Sequence, residues 1–380
     1  MPLDCAAAPP YDVLSESDVE QLAARHERNI VLVDVPRPED DVDRYDRAAS
    51  RLLEWEREKT LLRDDAPAFT IYRMAFRSED GTPRETVGVV GALEVVDEGA
   101  GGVLPHERTT PKAKSDRLDL TRATRANLSP VWGLSLTSEL TDLLREPGEL
   151  MGICPDPDGV VHTVERVSEP ARVAAIADAV SRNPVLIADG HHRYAIARTY
   201  RDERRATDGP GPWDLTLAYV SELVEDQLSI DAIHRLYCGI GADQLLDALG
   251  RSFDVADAGA VDESAASEMQ RRGALYLVRS DGTGAWLRPR PDAFAGVRAI
   301  DGALLEHALR DVEVEVSYQH GIRNVLEVLA AGGADAAVLI RPTSIAEIRR
   351  TADEGVLMPP KSTFFTPKLR TGLVVRPLAD

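Results

Sequence analysis

Apolar and polar residues alternate over Phe69–Phe76 and again over Thr86–Val96, with Glu79-Asp80-Gly81 between them, which predicts a β-hairpin. A helical period takes over elsewhere. Tyr45, Ala48, Ala49, Leu52, Leu53 and Trp55 form one apolar stripe across residues 40–62, and shorter helices are predicted over Glu16–Arg25 and Asp116–Asn127. The unbroken apolar run Asn29–Val35 reads as a buried strand. Ser168-Glu169-Pro170 opens a helix to Val180, with proline at a tolerated first-turn position. Val185–Ala188 is a short buried strand that runs into Asp189-Gly190-His191-His192-Arg193 and a further helix to about Arg205. Strands over Leu215–Val220 and Ala336–Ile340 and helices over Gly302–Leu309, Gly321–Ala330 and Ile345–Glu354 complete a mixed α/β or α+β class. The Pro-, Gly- and Asp-rich stretch 146–158 marks the expected boundary between an N-terminal lobe, 1–150, and a C-terminal lobe, 151–380.

Composition narrows the function. The 380 residues exceed what one hydrophobic core usually serves, and a 43% hydrophobic fraction is that of a soluble globular protein. No stretch is long and apolar enough to span a bilayer, and the first residues lack a signal peptide's basic start and apolar run. Three dispersed cysteines make neither a disulfide framework nor a four-thiolate zinc site, so a cytoplasmic location is expected. A net charge of −20 repels phosphate backbones and argues against nucleic acid as a partner. A small anionic ligand in a local cationic pocket remains compatible with that shell. Only five of the 44 basic residues are lysines (Lys59, Lys112, Lys114, Lys361, Lys368), so a lysine marks a place where a compact ammonium matters.

Three segments carry chemistry. In 189–193, a strand-to-helix turn offers backbone N–H groups to an anion. Asp189 is placed to cap the helix, Gly190 to let a ligand approach, and Arg193 to reach a phosphate, with His191 near the chemistry and His192 beside it. Segment 104–117 concentrates seven charged or histidine side chains between and after two prolines. Glu107 is its natural general base, His106 its neighbour, and Lys112, Lys114 and Arg117 its phosphate-binding cations. Segment 355–372 places Lys361, Ser362, Thr363 and Lys368 in a proline-stiffened frame. Its Gly355…Lys361-Ser362 spacing is not a P-loop, because Pro360 stands where that cradle needs a glycine N–H.

Pro10-Tyr11-Asp12-Val13, LPHERT from Leu104, IADGHHRY from Ile187 and MPPKSTFF from Met358 together resemble the family catalogued as domain of unknown function 1015. Residues 164–203 resemble the core of the ParB/sulfiredoxin superfamily, which includes nucleotide-binding partition proteins and kinases of free serine. That resemblance implies phosphate binding at Gly190, His191, His192 and Arg193 and a catalytic glutamate, for which Glu107 is preferred over Glu165 and Glu169. The expected activity is phosphoryl transfer from ATP or ADP to a small hydroxylated metabolite, serine-like first. Mg²⁺ would be held mainly through the nucleotide. The alternatives are a nucleotide-binding regulatory protein without turnover and a phosphate-ester hydrolase. The three segments are expected to surround one cleft.

Overall fold

The computed structural model describes residues 3–38, 42–78, 81–105, 114–262 and 264–379, with the side chains of Lys114 and Ser115 outside the description. The chain divides into two compact units. The first comprises Met1–Ser229 and Pro367–Asp380, the second Ile230–Thr366.

The first unit is built on β1 (Phe69–Arg77), β2 (Pro83–Glu94), β3 (Val103–Pro105), β4 (Ala126–Asn127), β5 (Val131–Ser135), β6 (Glu149–Pro155), β7 (Val161–Val167), β8 (Val185–Asp189) and β9 (Leu215–Glu222). Eight of these form one mixed sheet in the order β3-β8-β5-β9-β2-β1-β7-β6, and β4 pairs separately with Arg376-Pro377. Alternation along the strands sorts side chains onto two faces. Ile71, Val131, Val185, Ile187, Ala218 and Val220 pack with Leu140, Leu144 and Ile176 of the flanking helices on one face. Tyr72, Trp132 and Tyr219, each one residue off that set, stack edge-to-face in the other direction, with ring centroids 5.4–5.5 Å apart. Because both faces are covered, β8 is a run of Val, Leu, Ile and Ala rather than an alternating strand.

Two expectations change here. Asn29–Val35 contains a helical turn, Val31–Asp34, not a strand. It is apolar because Val31 and Val33 pack into a cluster with Trp55 and Leu120, and a short apolar run carries no period to separate helix from strand. The stretch 146–158 belongs to the β6–β7 hairpin and lies inside the first unit. Its turn residues Asp156–Gly159 close that hairpin, so proline and glycine there mark a turn and not a linker.

The second unit carries a fully antiparallel six-stranded sheet, in spatial order Phe253–Ala260, Thr283–Pro289, Leu275–Arg279, Ala336–Leu339, Ile233–Cys238 and Glu315–His320. Its helices include Asp301–Ala308, Ile322–Ala330 and Ile345–Glu354, close to the expected bounds. Both units are mixed α and β, as expected of the class. Among the described residues, no helix is long and apolar enough to cross a membrane.

Candidate functional site in the first unit

β8 ends at Asp189, and Gly190 turns the chain into the helix His191–Asp208 with φ 85° and ψ 27°. A left-handed residue is required there, and space is short as well. A Cβ on Gly190 would stand 2.9 Å from Arg193 Nε, because the Arg193 guanidinium folds back over the glycine. Glycine at this turn therefore makes room for the protein's own arginine.

Asp189 does not cap the helix; no side chain does. Its carboxylate instead accepts from Lys368 Nζ at 3.0 Å and from Arg193 Nη2 at 2.5 Å. Burial alone would push this carboxyl up, but Lys368 and Arg193 outweigh it and hold the group well below the usual range. Arg193 Nη1 donates to the carbonyl of Pro130. Burial works against its charge too, and Asp189, Asp12, Tyr11 and Asp34 hold it on. Two cations thus face one carboxylate at the N-terminus of an 18-residue helix. His191 is buried and senses Asp189 electrostatically, and His192 is half-buried.

Described residues on either side of the LPHERT segment lie close to this turn. β3 pairs with β8 in parallel, Leu104 beside Leu186 and Pro105 beside Ile187, two residues before Asp189. After the segment, the helix Lys114–Thr124 carries Arg117, which lines the same recess as Arg193. His106, Glu107 and Lys112 themselves lie outside the described residues. Of the alternative glutamates, Glu165 is buried in β7, paired with Arg73 Nε at 3.2 Å and accepting from the Gly148 N–H at 3.1 Å. It stands five strand spacings from β8, about 24 Å away. Glu169 is the exposed residue that precedes the helix Pro170–Ser181. Glu165 therefore has neither the place nor the freedom of a base for this turn.

Arg117 reaches in from the other side. Its Nη1 donates to Asp34 Oδ1 at 3.2 Å, its Nη2 donates to the Asp34 carbonyl, and its guanidinium carbon lies 4.3 Å from the centre of the Tyr11 ring. Asp34 was passed over in the sequence. Its only signal was one acid inside an apolar run, and its partner lies 83 residues away.

Behind the turn, the returning C-terminal segment is pinned twice. Two residues after Lys368, Arg370 Nη2 donates to Asp156 Oδ2 at 2.7 Å. The same carboxylate meets His162 Nε2 at 3.1 Å, and His162 Nδ1 meets the Tyr72 hydroxyl at 2.8 Å. Burial lowers the affinity of His162 for a proton, and Asp156 offsets only part of that. This buried network holds the segment from Lys368 onward against the sheet.

The remaining expected residues belong to the second unit. Lys361 is exposed in a left-handed conformation, φ 59°, with its carbonyl accepting from Arg235 Nη1 at 3.0 Å. Ser362 and Thr363 are buried. The Ser362 hydroxyl donates to the Pro359 carbonyl at 2.7 Å, and the Ser362 carbonyl accepts from Thr343 at 2.8 Å. Ser362 therefore closes its own turn, a structural use that the phosphate reading did not foresee. Lys361 and Lys368, seven positions apart, lie in different units. Among the described residues, no group of three or more His, Cys, Asp or Glu is arranged to hold a metal ion.

Among solved structures, a conserved hypothetical protein from Pyrococcus furiosus matches at 14% identity and a TM-score of 0.39, over 75% of this chain and 95% of that one. A free serine kinase in complex with AMP matches at 14% identity and a TM-score of 0.39, over 82% and 96%. SbnI with a C-terminal truncation, from Staphylococcus aureus, matches at 13% and 0.41, over 76% and 87%. No curated protein matches the chain. Residues 3–309 match the family described as protein of unknown function DUF1015, and the chain belongs to that family.

Proposed function

We propose that the protein transfers a phosphoryl group from a nucleotide, ATP or ADP, to the hydroxyl of a small metabolite, with a serine-like acceptor as the first choice. The observation that carries this reading is the Asp189 turn. In a chain of net charge −20, Lys368 and Arg193 converge on one buried carboxylate at the positive end of a long helix. Helix N-termini and compact cations are what phosphate oxygens seek. On this reading residues 164–203 are a ParB/sulfiredoxin-like core, and Gly190, His191, His192 and Arg193 form the phosphate turn. Mg²⁺, when bound with the nucleotide, supplies further charge neutralisation.

The parallel pairing of Pro105 with Ile187 supports Glu107 as the base, because Pro105, two positions before Glu107, lies beside the strand that leads into this turn. Glu107 accepts the acceptor's hydroxyl proton as the new O–P bond forms. The bond from phosphorus to the leaving nucleotide oxygen breaks, and Lys368 and Arg193 offset the charge that develops there. Incubation with ATP, ADP and CTP and a pool of amino acids and polyols, read by ³¹P NMR and mass spectrometry, tests this. A phosphorylated metabolite with stoichiometric loss of nucleotide phosphate supports transfer. Inorganic phosphate alone indicates hydrolysis, and an unchanged nucleotide that still binds indicates a regulatory role.

A further inference from the structure

The C-terminal return carries Lys368 to Asp189, and the residues after it are fastened at three places within the first unit. Arg370 donates its backbone N–H to the Tyr72 hydroxyl at 3.0 Å and its Nη2 to Asp156 Oδ2 at 2.7 Å. Thr371 exchanges two backbone hydrogen bonds with Ala8, at 2.8 and 3.1 Å. Between the first two fastenings sits His162, which is 1% exposed and takes no part in the Asp189 turn.

Hydrogen-bond accounting assigns the protons. The Tyr72 oxygen accepts from Arg370, so the hydroxyl hydrogen goes to His162 Nδ1 at 2.8 Å. Nδ1 is then an acceptor, and Nε2 carries the ring hydrogen and donates to Asp156 Oδ2 at 3.1 Å. The opposite tautomer would strand the Tyr72 hydrogen in a buried place and set the Nε2 lone pair against a carboxylate. Arg370 Nε stands 3.4 Å from the same Nε2, so guanidinium and imidazole share one carboxylate oxygen. A second proton on His162 has to go to Nδ1. It turns that atom from acceptor into donor, leaves the Tyr72 hydrogen unmet and puts a second cation beside Arg370. Among the described residues, Asp156 and Arg370 are the charges that face the ring. Tyr72 on β1 and Cys154, opposite His162 on β6, are neutral, because burial pushes both up. A docked Arg370 and a protonated His162 therefore oppose each other, and by linkage each weakens the other equally.

We propose that His162 is a proton-sensitive latch: a proton on its Nδ1 loosens Arg370 from Tyr72 and Asp156, and thereby frees Lys368 from Asp189. The latch does not depend on what the Asp189 turn binds, so it stands or falls apart from the phosphotransferase reading. Burial and the Arg370 charge hold the affinity of the docked His162 for a proton below its ordinary value, and Asp156 offsets only part of this. Release of the segment lets the ring return toward 6.5. Docking is therefore complete above 6.5 and weakens as pH falls through that value.

Amine labelling of the full chain, read by mass spectrometry, compares Lys368 with Lys361. The exposed Lys361 in the second unit cancels the reagent's own dependence on pH. Between about pH 7.5 and about pH 5.5 the ratio of Lys368 to Lys361 labelling is expected to rise about three- to tenfold, tenfold being roughly the ceiling for one linked proton. It is expected to stay flat in His162→Gln, which keeps an amide donor toward Asp156 and takes no proton. A flat ratio in the unaltered chain, or an equal rise in a folded His162→Gln chain, overturns the latch. Should His162→Gln fail to fold, hydrogen exchange on the unaltered chain decides. Amides of residues 368–371 losing protection at the lower pH while those of residues 194–200 keep it support the latch. Loss in both segments together, or in neither, overturns it.

Discussion

Arg193 illustrates how one side chain joins fold and function. Read from sequence, it is a cation on a helix start, free to be removed at little structural cost. In the structure it is 10% exposed and bonded to Asp189 and Pro130. Arg193→Ala should therefore cost roughly 2–4 kcal/mol of stability, measured by urea unfolding, because it deletes charged hydrogen bonds and leaves Asp189 with Lys368 alone. A midpoint within error of the parent would mean that the buried geometry contributes nothing. Lys368 stands out in the sequence because lysine is rare in this chain, but its partner, Asp189 Oδ1 at 3.0 Å, lies 179 residues away and had no local signal. Asp34 was not legible. A lone acid in Ile-Val-Leu-Val-Asp-Val has no local reason to be anything but a strand residue, and only the tertiary approach of Arg117 explains it.

At the level of elements, local conformation sets the costs. Gly190→Ala places an L side chain at φ 85° and a Cβ against the Arg193 guanidinium. A loss of about 1–2 kcal/mol is expected from the backbone alone, with a parallel loss of anion affinity as Arg193 shifts. Phosphate titration and melting curves on the same variant check both. Lys59 is the converse case. It follows the helix Arg44–Arg57 in the left-handed C-terminal position, φ 59°, where glycine is preferred. Lys59→Gly should stabilise the chain by about 0.5–1 kcal/mol in chemical denaturation; a loss would refute that reading of the cap. Elements with a clean period, such as the β1–β2 hairpin and the helix Pro170–Ser181, were legible. β6 was not, because it is an edge strand: Leu150, Met151 and Ile153 are exposed, and a register shift between Leu150 and Gly152 breaks its alternation.

Across the whole molecule, buried histidines tie stability to pH. Burial holds His234 down to about 4, and its Nδ1 accepts from the Ile340 N–H at 3.2 Å, which requires the neutral ring. The unfolded chain binds this proton more readily than the folded one. Its contribution is therefore complete above the ordinary value of 6.5 and declines as pH falls from 6.5 toward about 4. The loss is on the order of 3 kcal/mol over that window. His234→Asn retains an acceptor without the titration, so its unfolding free energy should lack that slope; an unchanged slope would clear His234. The division into two units was the least legible feature, because the C-terminal residues 367–380 rejoin the first unit after a 137-residue excursion, Ile230–Thr366, and no local composition announces a return. That return brings Lys368 to Asp189, and on it rests the claim that this turn holds the phosphates of a nucleotide. Titration of Mg·ADP into the chain and into Lys368→Ala tests the claim most directly, since Asp189 keeps Arg193. The account predicts a loss of affinity of roughly 1.5–3 kcal/mol, about 10- to 150-fold, in a chain that still unfolds cooperatively but at a lower melting temperature, because the buried Asp189 loses its strongest partner. Equal affinity in the two proteins, or none in either, would contradict it.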